Sequence, residues 1–122
     1  MPGYYLLLFF LVNLFIPVAQ ASVETGEQIL EQVNTRINNI NTAELQAILK
    51  KDPLTILIDV RSNKEIALRG GTIDAAYNIN ILRGWLEFRI QEYAASKDTP
   101  IIVYCGINER SPLAADTLMK MG

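Results

Sequence analysis

The sequence predicts a three-layer α/β domain, with a central and mostly parallel sheet flanked by helices. Three observations carry that expectation. Leu54–Ile58 is apolar on both faces instead of alternating, which suits the middle of a parallel sheet covered by helices. Ile101–Tyr104 is a second run of β-branched and aromatic residues, set off by the turn-like Asp98-Thr99-Pro100. Between the two runs lie stretches of helical spacing and short connections, so right-handed helical crossovers joining consecutive parallel strands are the simplest topology.

The 122 residues hold at most one globular domain, and a composition 50% hydrophobic and 20% charged points to a modest core and not to disorder. Eleven Lys plus Arg against thirteen Asp plus Glu, with no basic cluster, argue against nucleic acid as a partner. The absence of histidine and the single cysteine exclude a His/Cys metal site, a catalytic histidine base and an internal disulfide. Neither a metal nor another cofactor is therefore expected.

At the amino end, Tyr4–Val18 is apolar except for Asn13 and Pro17, and Ala19-Gln20-Ala21 offers a small-x-small cleavage signal. Residues 1–21 thus resemble a signal peptide, although no Lys or Arg precedes the apolar run. The implied product is an exported protein, periplasmic or secreted, starting at Ser22. Without cleavage, the same run implies a membrane anchor.

Residues 22–39 form an expected helical extension. Thr25 and Gln28 give a capping-box pattern, and Ile29, Val33 and Ile37 make one stripe. A polar break follows at Asn38–Asn41, with room for a very short strand around Ile40. Thr42 can cap the next helix, whose Leu45, Ile48 and Leu49 would face inward; Lys50 and Lys51 suit its carboxyl end, and Asp52-Pro53 stops it.

Beyond the Leu54–Ile58 strand, Asp59 and Arg61 lie where open α/β sheets place their working groups. The alternative for both is an ion pair that braces the loop. Ser62–Gly71 reads as a helical turn and a flexible loop containing Glu65. A short strand is expected around Ala76–Ile79. Leu82, Leu86, Ile90 and Tyr93, widened by Trp85 and Phe88, then predict a well-buried helix with Trp85 in the core.

The chemistry is expected at the end of the Ile101–Tyr104 strand. Cys105 follows it directly, Gly106–Arg110 forms a short loop, and Ser111-Pro112 suits the cap and first position of a helix running to about Met121. Leu113, Leu118 and Met121 would share one face of that helix. Such a loop turns backbone N–H groups and a helix amino end toward the sulfur, which lowers the thiol pKa and can hold an anion. Arg110 adds a permanent charge. The bland reading is a cysteine that only fills the core.

Three stretches in order resemble the rhodanese-like family: Leu54–Arg61 ending in Asp-Val-Arg with Glu65 just beyond, Gly71–Ile79, and Ile101–Ser111 with its Cys-to-Arg loop. Thr72, Asp74 and Ala75 depart from the residues common there. The resemblance spans residues 40–122 and implies a further central strand after Gly122, beside the one expected near Ile40. It also implies a sulfurtransferase. Cys105 would take a sulfur from thiosulfate or a persulfide donor and pass it to a thiol or cyanide acceptor. The backbone of Gly106, Ile107, Asn108 and Glu109 would stabilise the sulfur, with Arg110 assisting and Arg61 helping to place an anionic donor. Asp59, Glu65 and Ser111 would support the site. Two rival readings remain: a non-catalytic module of the same fold binding a protein partner or a small anion, and a phosphatase or arsenate reductase, whose loops are generally one residue longer.

Overall fold

The structure, a computed structural model, describes residues 21–122. Its centre is β1 (Ile56–Asp59), which lies between β2 (Asn78–Asn80) and β3 (Ile101–Tyr104) and runs parallel to both. This is the placement its two-sided apolar character requires. Leu57 and Ile58, consecutive and therefore on opposite faces, are both fully buried. Register sets the three strand ends level, with Asp59 beside Asn80 on one side and Tyr104 on the other.

Helices complete the layers. These are α1 (Gly26–Asn34), α2 (Thr42–Lys51), α3 (Asn63–Leu68), the single turn α4 (Leu86–Arg89) and α5 (Arg110–Met121). The main core joins Ile58, Val60 and Ile81 to Leu86 and Ile90 around α4 and to Ala114 of α5. Helix α1, with Val33 buried, packs on α5, and Arg36 just past its end pairs with Asp116 of α5 at 3.0 Å, a carboxylate that Lys120 of the same helix also binds at 2.6 Å. The amino end of α1 thereby comes to rest beside Glu109 and Arg110.

The expected capping box at Thr25 and Gln28 is present. Several other expectations are corrected. The cap of α2 is Asn41, whose side chain pairs reciprocally with Glu44, so the helix begins at Thr42 instead of being capped by it. The segment around Ile40 leads extended into that cap and pairs with no strand, so the short strand expected there does not form. Leu45, Ile48 and Leu49 are only partly buried.

The long buried helix expected from Leu82 to Tyr93 is broken into a 3-10 turn at Arg83–Trp85, α4, and a second 3-10 turn at Ile90–Glu92. A 3-10 turn advances its side chains differently from an α-helix, so one wide stripe cannot stay on one face. Leu86 and Ile90 reach the core. Trp85 remains 58% exposed and Phe88 68% exposed, in edge contact with ring centroids 6.1 Å apart. In α5 the buried residues are Ser111, Pro112, Ala114 and Asp116, whereas Leu113 and Leu118 are half-buried and Met121 is exposed.

The membrane-anchored alternative finds no support in the structure: among the described residues, no helix is long and apolar enough to cross a membrane. The apolar run Tyr4–Val18, which prompted both that alternative and the leader reading, lies outside the described residues.

Replacing Leu57 by Ala should lower the unfolding free energy by about 2–5 kcal/mol, because the central strand cannot collapse around the cavity. Urea titration followed by circular dichroism measures this; a loss well below 1 kcal/mol would contradict the central position of β1.

Candidate active site

The level strand ends define the site. Beyond β1, the chain turns through Val60 and Arg61, and the Arg61 guanidinium folds back onto Asp59. Its Nε lies 2.8 Å from Oδ1 and its Nη2 lies 2.6 Å from Oδ2. The same Nη2 donates to the Gly71 carbonyl at 2.9 Å, and the guanidinium carbon lies 5.5 Å from the centroid of the Tyr104 ring. Burial opposes ionisation of Asp59, but hydrogen bonds from the Arg61 side chain and backbone outweigh it and hold the carboxyl below its ordinary range. Arg61 is thus committed to its neighbours, as expected of a brace. An ideal Cβ built on Gly106 would lie 3.9 Å from Arg61 Cδ, so the arginine stem runs against the cysteine loop.

Two asparagines to which the sequence assigned no role, Asn78 within the family-like stretch Gly71–Ile79 and Asn80 just after it, complete this scaffold. Asn80 donates from its side chain to the carbonyls of Asp59 (2.9 Å) and Arg61 (2.8 Å). Asn78 donates to the Ile73 carbonyl at 2.6 Å and exchanges hydrogen bonds with the Tyr104 hydroxyl. The segment 71–80 is thereby fastened to β1 and β3. Only the strand register shows these partners, since an isolated Asn is also an ordinary turn residue.

Cys105 sits at the carboxyl end of β3, half-buried and free, and packs partly against the main core. The core-filling description therefore captures part of its environment. The loop after it bends at Asn108, whose φ of 57° lies in the left-handed region that asparagine tolerates better than most residues. This bend returns the chain so that α5 starts at Arg110, one residue before Ser111. The position before the helix belongs to Glu109, whose side chain makes no capping bond.

Ser111 is occupied elsewhere. Its Oγ lies 3.3 Å from the cysteine sulfur and 3.3 Å from Asn108 Oδ1. The backbone N–H groups of Ser111, Ile107 and Glu109 also face the sulfur. An N-cap side chain normally accepts a hydrogen bond from an N–H in the first turn. Here the sulfur takes that role. Burial pushes the thiol up, but the Ser111 hydroxyl and the three N–H groups outweigh it, bringing the pKa from 9.0 down to about 7. The site can therefore hold a thiolate near neutral pH.

Arg110 does not reach over the loop as a free cation. It forms a two-pronged pair with Glu65, Nη1 at 2.8 Å and Nη2 at 2.5 Å. Glu65 is also bonded to the Ser62 N–H and hydroxyl, each at 3.0 Å, within the capping box of α3. The Arg110 guanidinium, helped by Ser62, holds the Glu65 carboxyl down at about 2. The signal for this cap was legible as Ser-x-x-Glu at residues 62–65.

The rhodanese-like domain profile matches residues 41–122, more than half of the chain. This chain belongs to the rhodanese-like family. A solved structure of a protein of unknown function from Rhodopseudomonas palustris, described as a possible tyrosine phosphatase, is similar at 28% identity and a TM-score of 0.69, over 84% of this chain and 81% of that one. The polysulfide-sulfur transferase homodimer from Wolinella succinogenes is similar at 25% identity and a TM-score of 0.66, over 79% of this chain and 69% of that one. No curated protein gives a significant match. The rhodanese-like fold and the single cysteine at the end of β3 are consistent with a sulfurtransferase-type active site.

Alkylation of Cys105 by iodoacetamide should rise with pH through an inflection near 7, because only the thiolate reacts. Ser111→Ala removes a donor to the thiolate and should move that inflection toward the ordinary thiol range, slowing alkylation at pH 7 roughly threefold to tenfold. An unchanged profile would show that the hydroxyl does not act on the sulfur. Separately, Asp59→Asn should cost about 3 kcal/mol in urea unfolding, because it leaves the buried Arg61 charge without its partner.

Proposed function

We propose that this rhodanese-like protein is a sulfurtransferase that works through a persulfide on Cys105. One observation carries the reading: the thiol lies in a cradle of backbone N–H groups that brings its pKa to about 7. A thiolate is then present without a separate base, which the chain, having no histidine, does not offer in that form.

With thiosulfate, the Cys105 thiolate attacks the outer sulfur. The S–S bond breaks, its electron pair leaves with sulfite, and Cys105 keeps the transferred sulfur as a persulfide anion. With an organic persulfide the leaving group is the corresponding thiolate. A thiol or cyanide acceptor then attacks the terminal sulfur and restores the Cys105 thiolate. The N–H groups of Ile107, Glu109 and Ser111 are set around negative sulfur, and they would stabilise it as charge moves outward during transfer. In this reading Arg110 holds the loop through Glu65, and its charge acts on the sulfur from beside the cradle. Arg61 serves as a brace.

The description of the Rhodopseudomonas palustris relative as a possible tyrosine phosphatase raises the phosphoryl alternative. The guanidinium of Arg110 argues against it, since a phosphate-holding arginine must be free to form bonds with the oxyanion and this one is doubly bonded to Glu65. The name of the Wolinella succinogenes relative points toward sulfur.

Incubating the reduced protein with thiosulfate or an organic persulfide should add one sulfur to Cys105 by intact mass, and cyanide should remove it. Cys105→Ser should add none. A folded, reduced protein that gains no sulfur from any sulfane donor would overturn the proposal and leave the binding-module reading in its place.

A further inference from the structure

The charges around the cysteine loop do not suit a doubly negative donor. Both arginines near it are paired with carboxylates, Arg61 with Asp59 and Arg110 with Glu65. Glu109 lies within the loop itself. Its backbone N–H faces the cysteine sulfur, and its side chain lines a cleft between the loop and the amino end of α1. Glu27, in the first turn of α1, lines the same cleft, with Leu30 and Leu113 as apolar wall. Among the described residues, neither Glu27 nor Glu109 takes part in an ion pair.

The consequence is a division of labour within one short loop. Backbone dipoles stabilise negative charge on the sulfur at contact distance, whereas an unpaired carboxylate repels negative charge that approaches from solvent. The loop thus carries both signs of charge, peptide dipoles at the sulfur and a carboxylate four residues along the chain from it. We infer that Glu109 is a specificity-determining residue, selecting against dianionic donors such as thiosulfate in favour of persulfides whose organic part is uncharged or cationic and partly apolar. This inference rests on the sulfurtransfer reading, because it names the donor class for that reaction. In the favoured case the Cys105 thiolate attacks the outer sulfur of the persulfide. The S–S bond breaks and the organic thiolate leaves with the electron pair, so no further oxidant or reductant is needed.

The test separates the field at the sulfur from the sulfur chemistry. Iodoacetate and iodoacetamide both alkylate a thiolate, but only the first carries a negative charge. In the full chain at low ionic strength, the iodoacetate-to-iodoacetamide rate ratio should rise about threefold in Glu109→Gln and about tenfold in Glu109→Lys, because the second substitution changes the local charge by two units instead of one. The same substitution to Gln should raise the ratio of loading by thiosulfate to loading by benzyl persulfide about tenfold, because thiosulfate carries twice the charge. Added salt should compress both effects. Glu27→Gln, outside the loop, should move both ratios in the same direction by less, and it serves if changes at Glu109 disturb the loop. Unchanged alkylation ratios in these variants would overturn the inference, even if sulfur loads normally. A shifted alkylation ratio with no sulfur loading from either donor would overturn the sulfurtransfer reading and the donor assignment with it.

Discussion

The structure around the site depends on how the amino end of α5 is satisfied. The first N–H groups of a helix have no partner within it. In most helices a side-chain oxygen just before the first turn accepts one of them. In this protein Glu109 occupies that place and makes no such bond. The N–H of Ser111 instead faces the sulfur of Cys105, joined by those of Ile107 and Glu109. One physical requirement, the need of the helix end for an acceptor, therefore also stabilises the thiolate. The benefit is mutual, since a negative sulfur is a better acceptor than a neutral one and sits at the favourable end of the helix dipole.

That arrangement works only if the loop holds its curvature, and the surrounding ion pairs supply this. Asn108 makes the bend with a positive φ. Arg110 and Glu65 fasten the far end of the loop to the cap of α3, and Arg61, anchored by Asp59, runs its stem against Gly106. Both arginines thus act first as positioners. A guanidinium bound in two places can fix a loop, but it has fewer donors left for a ligand. The positive character of the cradle accordingly comes chiefly from peptide groups. These act over short distances, whereas the charge of an unpaired carboxylate such as Glu109 reaches further.

The sequence made much of the local organisation legible. The two apolar runs located β1 and β3, because a strand buried on both faces has no solvent side to mark with polar residues. Thr25 with Gln28 located the start of α1, since a capping box is complete within four residues. Cys105 was readable as the candidate site residue because it is the one thiol and lies where the strand ends. The errors have equally local causes. Ser111-Pro112 has the form of a helix cap, but Ser111 Oγ is drawn to the sulfur and the helix starts earlier. Trp85 and Phe88 have the spacing of a buried stripe, but 3-10 turns on both sides of α4 leave them outside.

By itself, then, the amino-acid sequence determined the α/β class, the places of the three strands along the chain and the position of the single thiol, because hydrophobic period and capping act between residues close along the chain. The partner of each charge was decided only by the tertiary structure. Arg110 meets Glu65 across 45 residues, and Asn80 meets the carbonyls of Asp59 and Arg61, because parallel register brings the strand ends level. Nothing local distinguishes an arginine that will brace a loop from one that will hold an anion. The difference lies in which carboxylate folding places beside it.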